Sequence, residues 1–118
     1  MHPSVKRRLP IAALALVFLL AGCVSGVPVS VTNGSSVPLT HVTVSGKGVS
    51  ESMGTIAAGA TETINIRPRT ATTIRVAFEL DGQRVTVTSE NEIENDTINT
   101  VMVTVGADRS ARITTPLR

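Results

Sequence analysis

The sequence predicts an all-β chain, a two-sheet sandwich of about seven to eight antiparallel strands following a cleaved N-terminal signal helix. Three observations point there. Apolar residues alternate with polar ones at period two from Val27 onward, which marks strands with one buried face. Val, Ile and Thr dominate these runs, and their branched Cβ favours pleated sheet over helix. No window carries a helical apolar stripe.

Taken in order, Val27, Val29 and Val31 alternate with Pro28, Ser30 and Thr32, and Val42 and Val44 with His41, Thr43 and Ser45. A weaker strand lies near Val49–Ile56. Ile64 and Ile66 alternate with Thr63, Asn65 and Arg67; Ile74, Val76, Phe78 and Leu80 alternate with Arg75, Ala77 and Glu79. Val85 and Val87 follow with Arg84, Thr86 and Thr88. Val101, Val103 and Val105 form the next run, and Ala111 with Ile113 the last.

Two hairpins can be set in register. Asp81-Gly82 is a strong two-residue turn, because a type I′ turn needs positive φ at both central positions. It pairs Leu80 with Gln83, Phe78 with Val85 and Val76 with Val87. Glu79 then falls opposite Arg84 on the outward face, an opposite-charge pair consistent with that register. Around Gly106–Ser110 a three-residue loop places Val105 opposite Ala111 and Val103 opposite Ile113. A two-residue loop would set Val103 against Arg112, so the apolar pattern selects the longer one.

The chain has 118 residues, room for one domain. It holds 11 basic and 9 acidic residues, but Lys6, Arg7 and Arg8 crowd the first ten positions; without them 8 basic residues face 9 acidic ones. The apparent basicity therefore belongs to the N-terminal segment and gives no reason to expect a nucleic-acid partner. After that basic start, residues 11–20 are wholly apolar. This is the layout of a secretory signal, and the run is too short to cross a bilayer, which takes about 20 apolar residues.

Leu20-Ala21-Gly22-Cys23 follows the apolar run. The four residues resemble the lipobox of bacterial lipoprotein precursors, with Leu20, Ala21 and Gly22 as the signal-peptidase recognition residues. The resemblance implies that residues 1–22 are removed and that Cys23 becomes the lipidated N-terminus, carrying diacylglycerol and an N-acyl (palmitate-type) chain. Cys23 is the only cysteine, so no intramolecular disulfide is available to it. Val24 stands where an Asp would retain such a lipoprotein in the inner membrane. The expected location is thus the cell envelope: the outer membrane, facing the periplasm, in a Gram-negative host. The domain layout is a signal peptide over 1–22, a lipidated N-terminus and short tether over 23–26, and a β-sandwich over 27–118. Asn33, Leu39, Val42, Val44 and Gly54-Thr55-Ile56-Ala57-Ala58-Gly59, within Val31–Ile66, resemble immunoglobulin-like modules of small envelope lipoproteins. That resemblance describes strands and turns and imports no functional residues.

Candidate chemistry is sparse. Once the signal is removed His41 is the sole histidine, so no Cys/His or Ser-His-Asp set can form; alternation points His41 to solvent. Ser45-Gly46-Lys47-Gly48 lacks the first glycine and the final Ser or Thr of a phosphate loop and reads as an inter-strand loop. Arg67, Arg69, Arg75, Arg84 and Arg112 could form a basic patch, but aromatic stacking platforms for nucleic acid are lacking. The segment Ser89–Asp96 repeats acids at every second position: Glu90, Glu92, Glu94 and Asp96. Calcium takes six to eight oxygens, yet EF-hand spacing is absent. The expected function is a lipid-anchored, non-enzymatic binding or structural module with no cofactor beyond its lipid. Its partners are the membrane and an envelope protein. The alternative is a small-ligand or calcium-binding module using loop 89–96.

Overall fold

The computed structural model describes residues 26–95 and 99–117. The signal segment, the lipobox with Cys23 and most of the tether lie outside the described residues, as does Asp96 of the acidic segment.

Eight strands form two four-stranded sheets, so the protein is an all-β two-layer sandwich. The strands are β1 (Val27–Asn33), β2 (Leu39–Gly46), β3 (Val49–Ile56), β4 (Thr61–Ile66), β5 (Arg75–Leu80), β6 (Gln83–Thr88), β7 (Val101–Val105) and β8 (Ala111–Thr114). One sheet has the order β4-β1-β7-β8, the other β3-β2-β5-β6. The inner four strands supply most of the core. Val27, Val29 and Val31 of β1 and Val101, Val103 and Val105 of β7 face Val42 and Val44 of β2 and Val76, Phe78 and Leu80 of β5, all buried. Phe78 is the largest fully buried side chain.

Both hairpin registers expected from the sequence are present. Leu80 pairs with Gln83, Phe78 with Val85 and Glu79 with Arg84, and Asp81 and Gly82 take φ values of 55° and 80°. Val105 pairs with Ala111 and Val103 with Ile113; the loop closes through Gly106 N–H to the Ser110 carbonyl (2.9 Å), with Arg109 in the left-handed region at φ 69°. Within that loop the Ser110 hydroxyl and amide both donate to Asp108 Oδ1, at 2.7 and 3.2 Å, and hold its carboxyl below its ordinary 3.8.

One expectation needs correction. The strands are not all antiparallel: β1 and β7 run parallel, Val29 beside Val101 and Val31 beside Val103. Parallel neighbours need a long crossover, and here it is the whole chain from β2 to β6. The strand expected near Val49–Ile56 is present, eight residues long. Its signal is faint because it is an edge strand whose middle positions, Ser50, Glu51 and Ser52, stay exposed. Glu79 stands opposite Arg84 as the hairpin register requires, and its carboxylate lies 3.5 Å from His41 Nδ1.

A bulge explains how β2 is read. Thr40 pairs with Glu79 and Thr43 with Ala77, so β2 spends one more residue than β5 over the same stretch. The extra residue lets Leu39 and Val42, three apart, both face the core. His41 sits in the bulge at φ 51° and faces solvent, as its place in the alternation implied.

The two sheets are tied at one end by Asn33, which is fully buried. Its Nδ2 donates to the carbonyls of Val37 (2.8 Å) and Ile56 (3.1 Å), and its Oδ1 accepts the Ser35 N–H (3.0 Å) and hydroxyl (2.7 Å). Replacing Asn33 by Leu removes the side-chain donor to the Ile56 carbonyl and the acceptor of the Ser35 N–H, each unsatisfied buried group costing about 1–3 kcal/mol. Urea denaturation of Asn33→Leu should therefore show a loss of about 2–4 kcal/mol with an unchanged m-value. Phe78→Ala should lose about 3–5 kcal/mol in the same assay.

Candidate functional site

Antiparallel pairing sorts the connections between two ends of the sandwich. β1 starts where β4 ends, Val27 beside Ile66, and the chain therefore enters the domain at the end that carries the β2–β3 turn. The two long connections, 67–74 and 89–100, and the C-terminal residues after β8 meet at this same end.

The β2–β3 turn and the two long connections border a cleft of about 540 Å³, lined by Ser45, Gly46 and Lys47, by Thr72, Thr73 and Arg75, and by Glu92. Its walls are fixed by backbone. Thr72 is 2% exposed; its Oγ1 accepts the Lys47 N–H (2.8 Å) and donates to the Thr73 carbonyl (2.8 Å). Gly46 is required by this approach, since a Cβ there would sit 2.9 Å from the Thr73 carbonyl oxygen and 3.0 Å from Thr72 Oγ1. Thr72 also exchanges both backbone hydrogen bonds with Ile93, at 3.1 and 2.8 Å.

That bridge explains the acidic segment. Ile93 is 1% exposed and plugs the core, while Glu90, Glu92 and Glu94 point to solvent. Ser89 is buried as well: its Oγ accepts the Ile74 N–H (2.9 Å) and donates to the Asn91 carbonyl (2.9 Å). The acids are thus exposed positions of a bent connection that is held by buried Ser89 and Ile93. Among the described residues no three His, Cys, Asp or Glu side chains come together as metal ligands.

No family model matches the chain, and no curated protein matches it. Among solved structures it is similar to the NMR structure of a protein from Eubacterium rectale. The match has a TM-score of 0.57 at 11% identity and covers 80% of this chain and 91% of that one. The two share a fold.

Residues singled out separately in the sequence are brought together here. Lys47 from the glycine-flanked turn, Arg75 from the arginine set and Glu92 from the acidic run share one cleft. The arginines do not form one patch. Arg75 and Arg84 pair at opposite ends of the β5–β6 ladder, and Arg112 lies in the other sheet opposite Thr104. Ser45-Gly46-Lys47-Gly48 is the tight turn between β2 and β3, as expected, with Gly48 at φ 70°. The sequence reading missed Thr72 and Ile93. A lone Ile between acids at even spacing was the available signal for the second; Thr72 had none. In chemical terms the cleft offers two cations, one carboxylate and hydroxyls on a rigid floor. Thr72→Val should loosen the Lys47–Gly48 turn, seen as faster amide exchange at Lys47, and should lower stability by about 1–3 kcal/mol.

Proposed function

We propose that this chain is a lipid-anchored, non-enzymatic module of the cell envelope that binds a partner protein or contributes to envelope structure. The observation that carries this reading is the juxtaposition of Leu20-Ala21-Gly22-Cys23 with a strand that begins at Val27. Val24, Ser25 and Gly26 are all that separate the proposed lipidated residue from the first buried side chain. At about 3.3–3.6 Å per residue the tether reaches roughly 10–14 Å, so the chain-entry end would lie next to the bilayer. Each buried methylene of the acyl chains contributes about 0.8 kcal/mol, and several chains on one residue hold it durably. Val24 favours the outer membrane in a host that has one. The aliphatic core and short tether suit a module that holds position at the membrane.

The reading makes two expectations for the tagged full-length chain. Cys23→Ala should abolish incorporation of labelled palmitate and leave the signal uncleaved, read as a heavier band on gels. In-cell crosslinking of the wild type should recover an envelope protein near stoichiometrically, and Cys23→Ala should lose it. Labelling that persists in Cys23→Ala would refute the anchor; an unlabelled wild type would do the same.

A further inference from the structure

The chain-entry end has two flanks of opposite charge. β4 lies over β3 on one flank, and β8 lies over β6 on the other. On the β3–β4 flank the connection after β4 opens with Arg67-Pro68-Arg69, both arginines exposed and Pro68 buried between them. The proline fixes its own φ and restricts Arg67 before it, so the two cations stand on a stiff support. Lys47, exposed in the β2–β3 turn, belongs to the same flank. Its N–H is bound by Thr72 Oγ1 (2.8 Å), so Arg67, Arg69 and Lys47 lie along about 18 Å of chain. Among the described residues the acid of this flank is Glu51, opposite Val44 on β3. Three cations stand there against one carboxylate.

The acids begin on the other flank. Glu90 follows β6, beside Arg112, and Asn91 Nδ2 donates to Thr115 Oγ1 just past β8 (3.2 Å). Glu92 and Glu94 flank Ile93, whose bridge to Thr72 carries them to the middle of this end, where Glu92 borders the cleft with Lys47 and Arg75. The tether leaves from the basic side. Gly26 precedes Val27, the partner of Ile66, and a Cβ on Gly26 would lie 3.6 Å from Arg67 Cγ. The chain therefore exits beside Arg67.

We propose that Arg67, Arg69 and Lys47 seat the domain on anionic lipid headgroups, with the Glu90 flank raised from the bilayer. This inference rests on the lipid anchor proposed at Cys23. Only Val24 and Ser25 separate Cys23 from Gly26, so the root of the domain stays within about 10–11 Å of the acylated residue and Arg67 stands at headgroup level. A guanidinium takes two phosphate oxygens at once, and an ammonium adds a point charge. An anchor of this kind fixes distance and leaves tilt open. A negative leaflet attracts cations within a Debye length, about 8 Å at physiological ionic strength, and repels Glu90, Glu92 and Glu94. The separated charges therefore select one tilt, basic flank down. An acidic protein could meet the same cations, but the tether decides the occupant, because it holds the bilayer beside Arg67 before any encounter.

The full lipidated chain tests this in two kinds of vesicle, neutral phosphatidylcholine and the same lipid mixed with anionic phosphatidylglycerol. A dye on Thr70→Cys, exposed next to Arg69, donates energy to an acceptor-labelled lipid. Transfer should be higher on anionic than on neutral vesicles, and a dye on Asn91→Cys should show the reverse. Lys47→Glu/Arg69→Glu should abolish the difference and keep the wild-type melting curve, both residues being exposed. Arg84→Glu, at the far end of the β5–β6 ladder, should retain it. Salt at 1 M, where screening shortens to about 3 Å, should abolish the difference and leave the chain on the vesicles. If the charge reversal proves unfolded, Lys47→Gln/Arg69→Gln and the salt response decide. A chain that floats with both vesicles and gives equal transfer, or a difference that survives the charge reversal, would overturn the proposal alone. Failure to float with neutral vesicles would overturn the anchor and this surface together. A photocrosslinking residue at Thr70 in cells that captures protein and no lipid would overturn the surface while leaving the anchor.

Discussion

The apolar inner faces of a sandwich exchange no hydrogen bonds, so something at its rim must decide how the layers sit. Here that is Asn33. It ends β1, and its side chain reaches the carbonyl of Ile56, the last residue of β3 in the opposite sheet. Its backbone exchanges bonds with the β3–β4 loop, N–H to the Ala60 carbonyl (2.9 Å) and carbonyl from the Gly59 N–H (2.7 Å). The next residue, Gly34, donates to the Val105 carbonyl at 2.7 Å, an approach so close that a Cβ there would lie 2.6 Å from that oxygen. Within two residues the chain is tied to β3, to the β3–β4 loop and to the end of β7. Dispersion and apolar burial are not directional. The rim contacts supply the direction, and the Gly34–Val105 bond closes the end of the parallel β1–β7 pair.

Once the layers are placed, position within a sheet governs what each strand must do. β1, β2, β5 and β7 have neighbours on both sides and bury an unbroken row of Val, Leu or Phe. Edge strands need less apolar surface and carry other duties. On the outer face, β4 is attached to β1 partly through hydroxyls: Ser30 and Thr63 share a hydrogen bond of 2.8 Å, Thr32 and Thr61 one of 2.9 Å. Its core-facing Glu62 and the matching Glu51 of β3 keep that side from pairing further. The opposite edges, β6 and β8, have no carboxylate within the strand.

The same distinction decides what the sequence made legible. Central strands alternate cleanly, and their positions and the two hairpin registers could be read from Val, Ile and turn chemistry alone. β3 could be read only faintly, because Ser50, Glu51 and Ser52 break the apolar row that a strand usually shows. The parallel pairing of β1 with β7 is a long-range choice that local pattern does not encode. The break in β2 was visible as Leu39 and Val42 at odd spacing, though only the structure turns that spacing into a bulge. The cleft was legible only in fragments. Lys47, Arg75 and Glu92 each stood out by charge, but their meeting depends on Thr72 and Ile93, whose backbone bridge spans twenty-one positions of sequence.

The connections complete the physical picture. At the Asn33 end they are short: 34–38, 57–60, the two-residue turn and the loop at 106–110. An exposed ion pair, Arg109 to Asp81 at 2.5 Å, links two of these turns and, being solvated, adds little stability. At the chain-entry end the connections 67–74 and 89–100 are long and carry the charged residues, and they are pinned by single buried side chains instead of by tight turns. Long loops on a rigid frame tolerate change in sequence without loss of the fold. Chemical variety therefore collects where the chain enters, while the far end stays rigid.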